Sequence, residues 1–185
     1  DGRVGWLAAL VSLIKHDGRP AILSTSFDDT DLHRAEDIVR TVSWGIAPVT
    51  GDDYFASLAR RLAEALGVSR AMVGEVEAGA PERVRTVVAM VDGQEIPPFE
   101  YPLAGTPCAD AIRTGACVHA SDVQAAFPED RLLSEHGIES YAGVRLEDQE
   151  GPTMGILAVM GRQPLPAPAM ARLLIAAFAG RTAAE

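Results

Sequence analysis

Apolar positions recur at different spacings along this chain, and each spacing predicts a different element. Two apolar runs, GWLAALVSLI and AILSTSF, flank HDGRP, and the Asp17-Gly18 pair between them predicts a tight β-hairpin. Two or three strands do not cover a hydrophobic face, so this piece is expected to be the tail of something larger. From Asp31 the period changes. Leu32, Ala35, Val39, Val42 and Ile46 alternate spacings of three and four, the seam of a short coiled coil that Pro48 ends.

Thr50 with Asp53 three residues on predicts a capping box, and Phe55, Leu58, Ala59, Leu62 and Leu66 then form one helical stripe closed by Gly67. AMVGEVE and VRTVVAMV read as an antiparallel strand pair around a Gly-Ala-Pro loop. Residues 99–139 break that rhythm with short helical pieces at Ala109–Thr114 and Asp130–His136, joined by Pro and Gly. SYAGVRLE and TMGILAVM form a second hairpin around the Asp148–Gly151 turn. A final helix starts at Ala169, apolar at Met170, Leu173, Leu174, Ala177 and Phe178. The order is helix, two strands, irregular crossover, two strands, helix. It predicts an α+β sandwich on one central antiparallel sheet, with helices packed on one side and the crossover on the other.

Composition narrows the function classes. With 185 residues and 48% hydrophobic content, the chain buries one good core with residues to spare. A formal charge of −10 lacks the clustered basic face that nucleic acid or an anionic membrane needs, so neither is an expected partner. No apolar run nears the roughly 20 residues of a membrane span, and no signal-peptide layout opens the sequence; a cytoplasmic location is expected. Lys15 is the sole lysine and is followed by His16, which excludes a P-loop, and the lack of asparagine excludes a Cys-His-Asn triad.

Both cysteines lie in YPLAGTPCADAIRTGACVHASD, with His119 two residues beyond Cys117. Three readings compete. Cys108, Cys117, His119 and His136 would be metal ligands, but neither Cys-x-x-Cys nor His-x-x-x-His spacing occurs, and no metal is expected. A thiol opening a helix has a lowered pKa, which supports redox chemistry. Packing of small hydrophobes is the third reading and the preferred one. His33 sits on a helix, but no ATP-binding signature accompanies it as a phosphoacceptor. A ligand pocket is expected between sheet and crossover, lined by Cys108, Ile112, His119, Phe127, Leu132, Leu133, His136 and Tyr141; the same residues would also serve simply to fill a core.

Residues 51–185 resemble a GAF domain of the kind found in bacterial sensor kinases and diguanylate cyclases. The segments DYFASLARRLAEALGVSRAMVGEV, FEYPLAGTPCADAIRTG, FPEDRLLSEHGIESYAGVRLED and GILAVM carry the likeness. Residues 1–30 resemble the C-terminal strands of a PAS domain, a related fold, and end in FDDTDLHRAED. That segment is similar to the Asp-Ile-Thr-Glu-Arg-Lys junction of PAS proteins, with Asp29 replacing the Ile. Residues 31–50 would then be a connecting signalling helix. The resemblance implies a non-catalytic sensory module that binds a small molecule or relays signals through a helical homodimer to a downstream effector domain of the same chain.

Family variants set limits on the ligand. Cyclic-nucleotide GAF domains carry an Asn-Lys-Phe-Asp-Glu pattern that a chain without asparagine does not have. Bilin-carrying ones follow the chromophore cysteine with histidine, whereas Ala109 follows Cys108 and Val118 follows Cys117. No cofactor is expected. The alternative is a GAF-fold redox enzyme or thiol sensor, similar to the free methionine sulfoxide reductases, using Cys108 and Cys117; those enzymes use more cysteines than this chain has.

Overall fold

The computed structural model describes residues 5–30, 33, 37, 40, 50–76, 82–147 and 153–184. They fall into two compact units, Asp1–Asp37 and Ile38–Glu185.

In the first unit, β1 (Leu7–His16) pairs antiparallel with β2 (Arg19–Asp28). Asp17 and Gly18 form the turn with φ of 49° and 74°, the left-handed pair whose twist matches that of the strands. At the open end the Trp6 N–H donates to Thr30 Oγ1 at 2.9 Å, and the His33 ring stacks on Trp6 with centroids 4.4 Å apart. The seam positions Leu32, Ala35, Val39, Val42 and Ile46 lie outside the described residues.

The second unit runs α1 (Asp52–Leu66), β3 (Arg70–Val76), β4 (Arg83–Val91), β5 (Gln94–Ile96), β6 (Glu100–Pro102), α2 (Pro107–Thr114), β7 (Ala116–His119), α3 (Val123–Ala126), α4 (Arg131–Glu135), β8 (Ser140–Glu147), β9 (Thr153–Gly161) and α5 (Pro168–Ala184). Its antiparallel sheet has the order β5-β4-β3-β9-β8-β7, with β6 also paired to β4. The α+β sandwich is as the sequence predicts. The crossover is less irregular than expected, because β6 and β7 join the sheet, and β5 adds a further short strand just before it. At three or four residues each they are too short to show a period.

Alternation along the strands sorts the core into two layers. Ala71, Val73, Ala142, Leu157 and Val159 face α1 and α5, while Met72, Tyr141, Ile156 and Ala158 face the crossover. Pairing of β3 with β4 steps from Val73↔Val88 to Gly74↔Thr86, which skips Val87. Such a bulge changes the phase of β4, so Val84 faces the crossover and Val88 and Met90 the helices.

Helix α1 buries Leu58, Ala59, Leu62 and Leu66, with Tyr54 added to the stripe, and Gly67 ends it in the left-handed conformation. The capping box at Thr50 does not form. Gly51, with φ of 63°, takes the N-cap position instead, so Thr50 lies one residue outside the helix and no side chain caps it. Helix α5 buries Ala171, Leu174, Ile175, Phe178 and Thr182, whereas Leu173 and Ala177, two of the apolar positions noted in its sequence, are exposed. An alanine-rich helix is apolar nearly all round, so its period does not select a face; packing against β8 and β9 does. The two helices lie side by side, with Tyr54 Oη 3.2 Å from Thr182 Oγ1 and the Arg181 guanidinium 4.5 Å above the Tyr54 ring.

Candidate functional site

Strand register assembles the site. Arg70 on β3 pairs with Met160 on β9, which pairs with Tyr141 on β8, so the three residues form one row across the sheet. The next row is Met72, Ala158 and Gly143. Over these rows the crossover leaves a cavity of roughly 290 Å³, walled by Ile96, Phe99, Tyr101, Pro107, Cys108, Asp130, Leu132, Leu133, His136 and Ile138. Most of the wall is apolar, which suits a ligand held by shape and burial and oriented by a few polar groups.

The polar groups have distinct origins. Thr106 accepts the Ala109 N–H at 3.2 Å and caps α2, with Pro107 opening the helix, and this places Cys108 in its first turn. The hydroxyls of Tyr101 and Tyr141 both donate to Cys108 Sγ, each at 3.2 Å. Burial pushes the Cys108 thiol up to about 11, although the two phenolic hydrogen bonds favour the thiolate. Desolvation outweighs them. It raises both phenols as well, so all three groups stay neutral at physiological pH. Asp130 caps α4 by accepting the Leu132 N–H at 3.1 Å, and burial raises its carboxyl.

Cys117, on β7, is also pushed up to about 11, chiefly by desolvation. At neutral pH such thiols are about one part in ten thousand thiolate, the nucleophilic form. Burial of Cys108 thus outweighs the lowering that a helix N-terminus gives a thiol. An alkaline titration tests this. Because the folded value lies above the unfolded thiol's, the contribution of Cys108 to stability is fully present below about pH 9 and is lost as pH rises towards about 11. Urea midpoints should fall over that window, and in Cys108→Ala less steeply. The variant should also lose about 1–3 kcal/mol, since it strands two buried hydroxyls. A midpoint flat to pH 11 would refute the buried neutral cluster.

Of the eight residues predicted to line a pocket, Cys108, Leu132, Leu133, His136 and Tyr141 border this cavity, and Ile112, His119 and Phe127 do not. Ile112 instead lines a shallower groove with Leu103, Ala104 and Arg113. His119 pairs with Tyr141 and so ends the row of Arg70 on the edge strand β7, where its ring packs edge-to-face on Phe127 with centroids 5.2 Å apart, outside the cavity. Among the described residues, no three His, Cys, Asp or Glu side chains gather into a metal-binding group. Arg70, Met72, Ile96, Tyr101, Ile138 and Met160 were not foreseen. Alternation separates Met72 from Ala71, but nothing local says which strand face meets the crossover.

A seven-stranded antiparallel sheet with two helices on one face and a cavity under a crossover on the other defines the class of fold, an α+β sandwich. The chain belongs to the GAF domain family, whose model matches residues 50–185. Among solved structures it is similar to the chromophore-binding domain of Stigmatella aurantiaca phytochrome P1, at 12% identity and a TM-score of 0.66, covering 95% of this chain and 68% of that one. It is similar to the chromophore-binding domain of the R. palustris bacteriophytochrome RpBphP3, at 11% identity and a TM-score of 0.59, covering 92% and 67%. The GAF domain of an Acinetobacter phosphoenolpyruvate-protein phosphotransferase matches at 13% identity and a TM-score of 0.62, covering 81% and 90%. At these identities the likeness is one of fold. No curated protein matches the sequence.

Proposed function

We propose that this is a non-catalytic sensory GAF domain of a bacterial multi-domain signalling protein, in which a small molecule occupies the crossover cavity. The carrying observation is the apolar cavity itself, floored by a neutral, hydrogen-bonded Tyr101–Cys108–Tyr141 cluster. Neutral buried groups with no ionised nucleophile suit recognition rather than reaction. The Stigmatella and R. palustris neighbours are chromophore-binding domains by name. A cavity of roughly 290 Å³ is at the small end of ligand sites and suits one or two rings rather than a linear tetrapyrrole.

Occupancy is read out, in this proposal, through α1 and α5, which pack on the opposite face of the sheet. Residues 1–30 are the end of a PAS domain and 31–50 a connecting helix. A homodimer built on that helix with α1 and α5 passes the signal to an effector of the same chain, in the cytoplasm. The ligand shifts the helices only as far as its affinities for the two packings differ.

Leu132 provides the test. It borders the cavity and is 37% exposed, so Leu132→Trp closes the mouth without disturbing the core. Thermal-shift screening of one- and two-ring compounds should find ligands that raise the melting point of the wild type and leave the variant unmoved. Equal shifts in both proteins, or none in either, would sink the ligand-binding reading. Sedimentation of the same samples should show a dimer, and a monomer at about 100 μM would remove the dimeric relay.

A further inference from the structure

We infer that the cavity selects a small organic acid, an apolar body about one ring in size whose carboxylate pairs with Arg70. This rests on the ligand-binding reading above and adds to it the charge and the anchor of the ligand.

Among the described residues, Arg70 is the only arginine or lysine on the cavity wall. It opens β3, in the row shared with Met160 and Tyr141, and is partly buried. Its Nε is buried with no hydrogen-bond partner. Among the described residues no carboxylate lies at ion-pair distance from it. The carboxylate that most favours its charge, Asp92, is taken by Arg162, whose two terminal nitrogens donate to its two oxygens at 3.0 Å each. Burial and the Arg162 charge both work against the Arg70 guanidinium and lower its pKa. A partly desolvated cation with an unmet donor on an apolar wall is a cost in the empty protein that a bound anion relieves.

The rest of the wall limits which anion fits. Asp130, the carboxylate on the wall, accepts a backbone N–H of α4, and its burial disfavours the charged form, which lessens its repulsion of a second carboxylate. A single guanidinium matches the two oxygens of one carboxylate, whereas a phosphate dianion calls for more donors than this wall supplies. The volume of roughly 290 Å³ holds an aromatic or branched aliphatic acid.

Calorimetric titration of the wild type, Arg70→Gln and Arg70→Lys with benzoate and with its neutral counterpart benzyl alcohol tests the assignment. Benzoate should bind the wild type at least roughly tenfold more tightly than benzyl alcohol. Arg70→Gln should cost benzoate about tenfold to a hundredfold and leave benzyl alcohol unchanged, with Arg70→Lys in between. The ligand-free Arg70→Gln protein should melt no lower than the wild type, since it loses an unpaired charge rather than a structural contact. Equal binding of the two probes, indifferent to Arg70, would overturn the acid assignment and leave the ligand site standing. A lower melting point for Arg70→Gln with unchanged benzoate affinity would make Arg70 structural and overturn it too. Binding of neither probe at about 10 mM would overturn it together with the reading beneath it.

Discussion

Gly143→Ala is expected to destabilise the domain by about 2–4 kcal/mol and, under the proposed ligand reading, to abolish binding in the cavity. Gly143 lies two residues beyond Tyr141 on β8 and so on the same face of the sheet. The Tyr141 ring lies down along the strand over it. A Cβ at position 143 would sit 2.7 Å from Tyr141 Cζ and 2.9 Å from Cε1, closer than carbon atoms approach without contact strain. Tyr141 has no room to yield, being fully buried with its hydroxyl on Cys108 Sγ. The ring must lift into the cavity or the strand must bend. Either movement breaks the Tyr141–Cys108 hydrogen bond and fills the space above the row of Arg70. For a domain of this size the loss corresponds to a melting point lower by roughly 5–15 °C. In a Tyr141→Leu background the same glycine substitution should cost much less, which isolates the steric term. A change within about 0.5 kcal/mol in the wild-type background would show that Tyr141 does not need the glycine.

Phe178→Ala should cost as much, about 3–5 kcal/mol, by a different route and with a different functional signature. Phe178 is on the inner face of α5, buried in the layer shared with Leu58, Leu62, Leu174 and Ile175. Its removal leaves a cavity where helix, sheet and α1 meet, and weakens the docking of α5 on β8 and β9. The crossover cavity belongs to the opposite layer and shares no side chain with this one. Urea unfolding should therefore show the full loss, while a cavity ligand binds the folded variant within about threefold of the wild type. Under the proposed relay, ligand occupancy should no longer reach the end of α5. Loss of ligand affinity in step with stability would show that the two faces of the sheet are not independent.

Legibility divides along the same line as the two layers. Local periodicity carries burial on one face of one element, so the stripe Leu58, Ala59, Leu62 and Leu66, the strands β3, β4, β8 and β9, and the Asp17-Gly18 turn were all open to reading. The GAF likeness was likewise legible in the segments that quote it, and the family model covers the same stretch. Elements without a period were not. β5, β6 and β7 span three or four residues, and α5 is apolar nearly all round, so its sequence does not tell the buried Leu174 from Leu173, which is 54% exposed.

The cavity shows the limit most clearly. Cys108, Leu132, Leu133, His136 and Tyr141 were within reach because they belong to the crossover and to the strand that follows it. Arg70, Met72 and Met160 were not, because their place on the wall depends on Arg70 standing opposite Met160, a pairing between strands 90 residues apart in sequence (160 − 70). Packing was already the preferred reading of Cys108, and the structure adds its physical reason, burial beneath Tyr101 and Tyr141 with the thiol pushed up to about 11. Sequence pattern thus decided which residues leave water, since that depends on spacing along one element. Which of them meet each other, which polar groups are left neutral and, among the described residues, that the buried Arg70 Nε has no hydrogen-bond partner depend on register and desolvation, and these exist only once distant segments have been brought together.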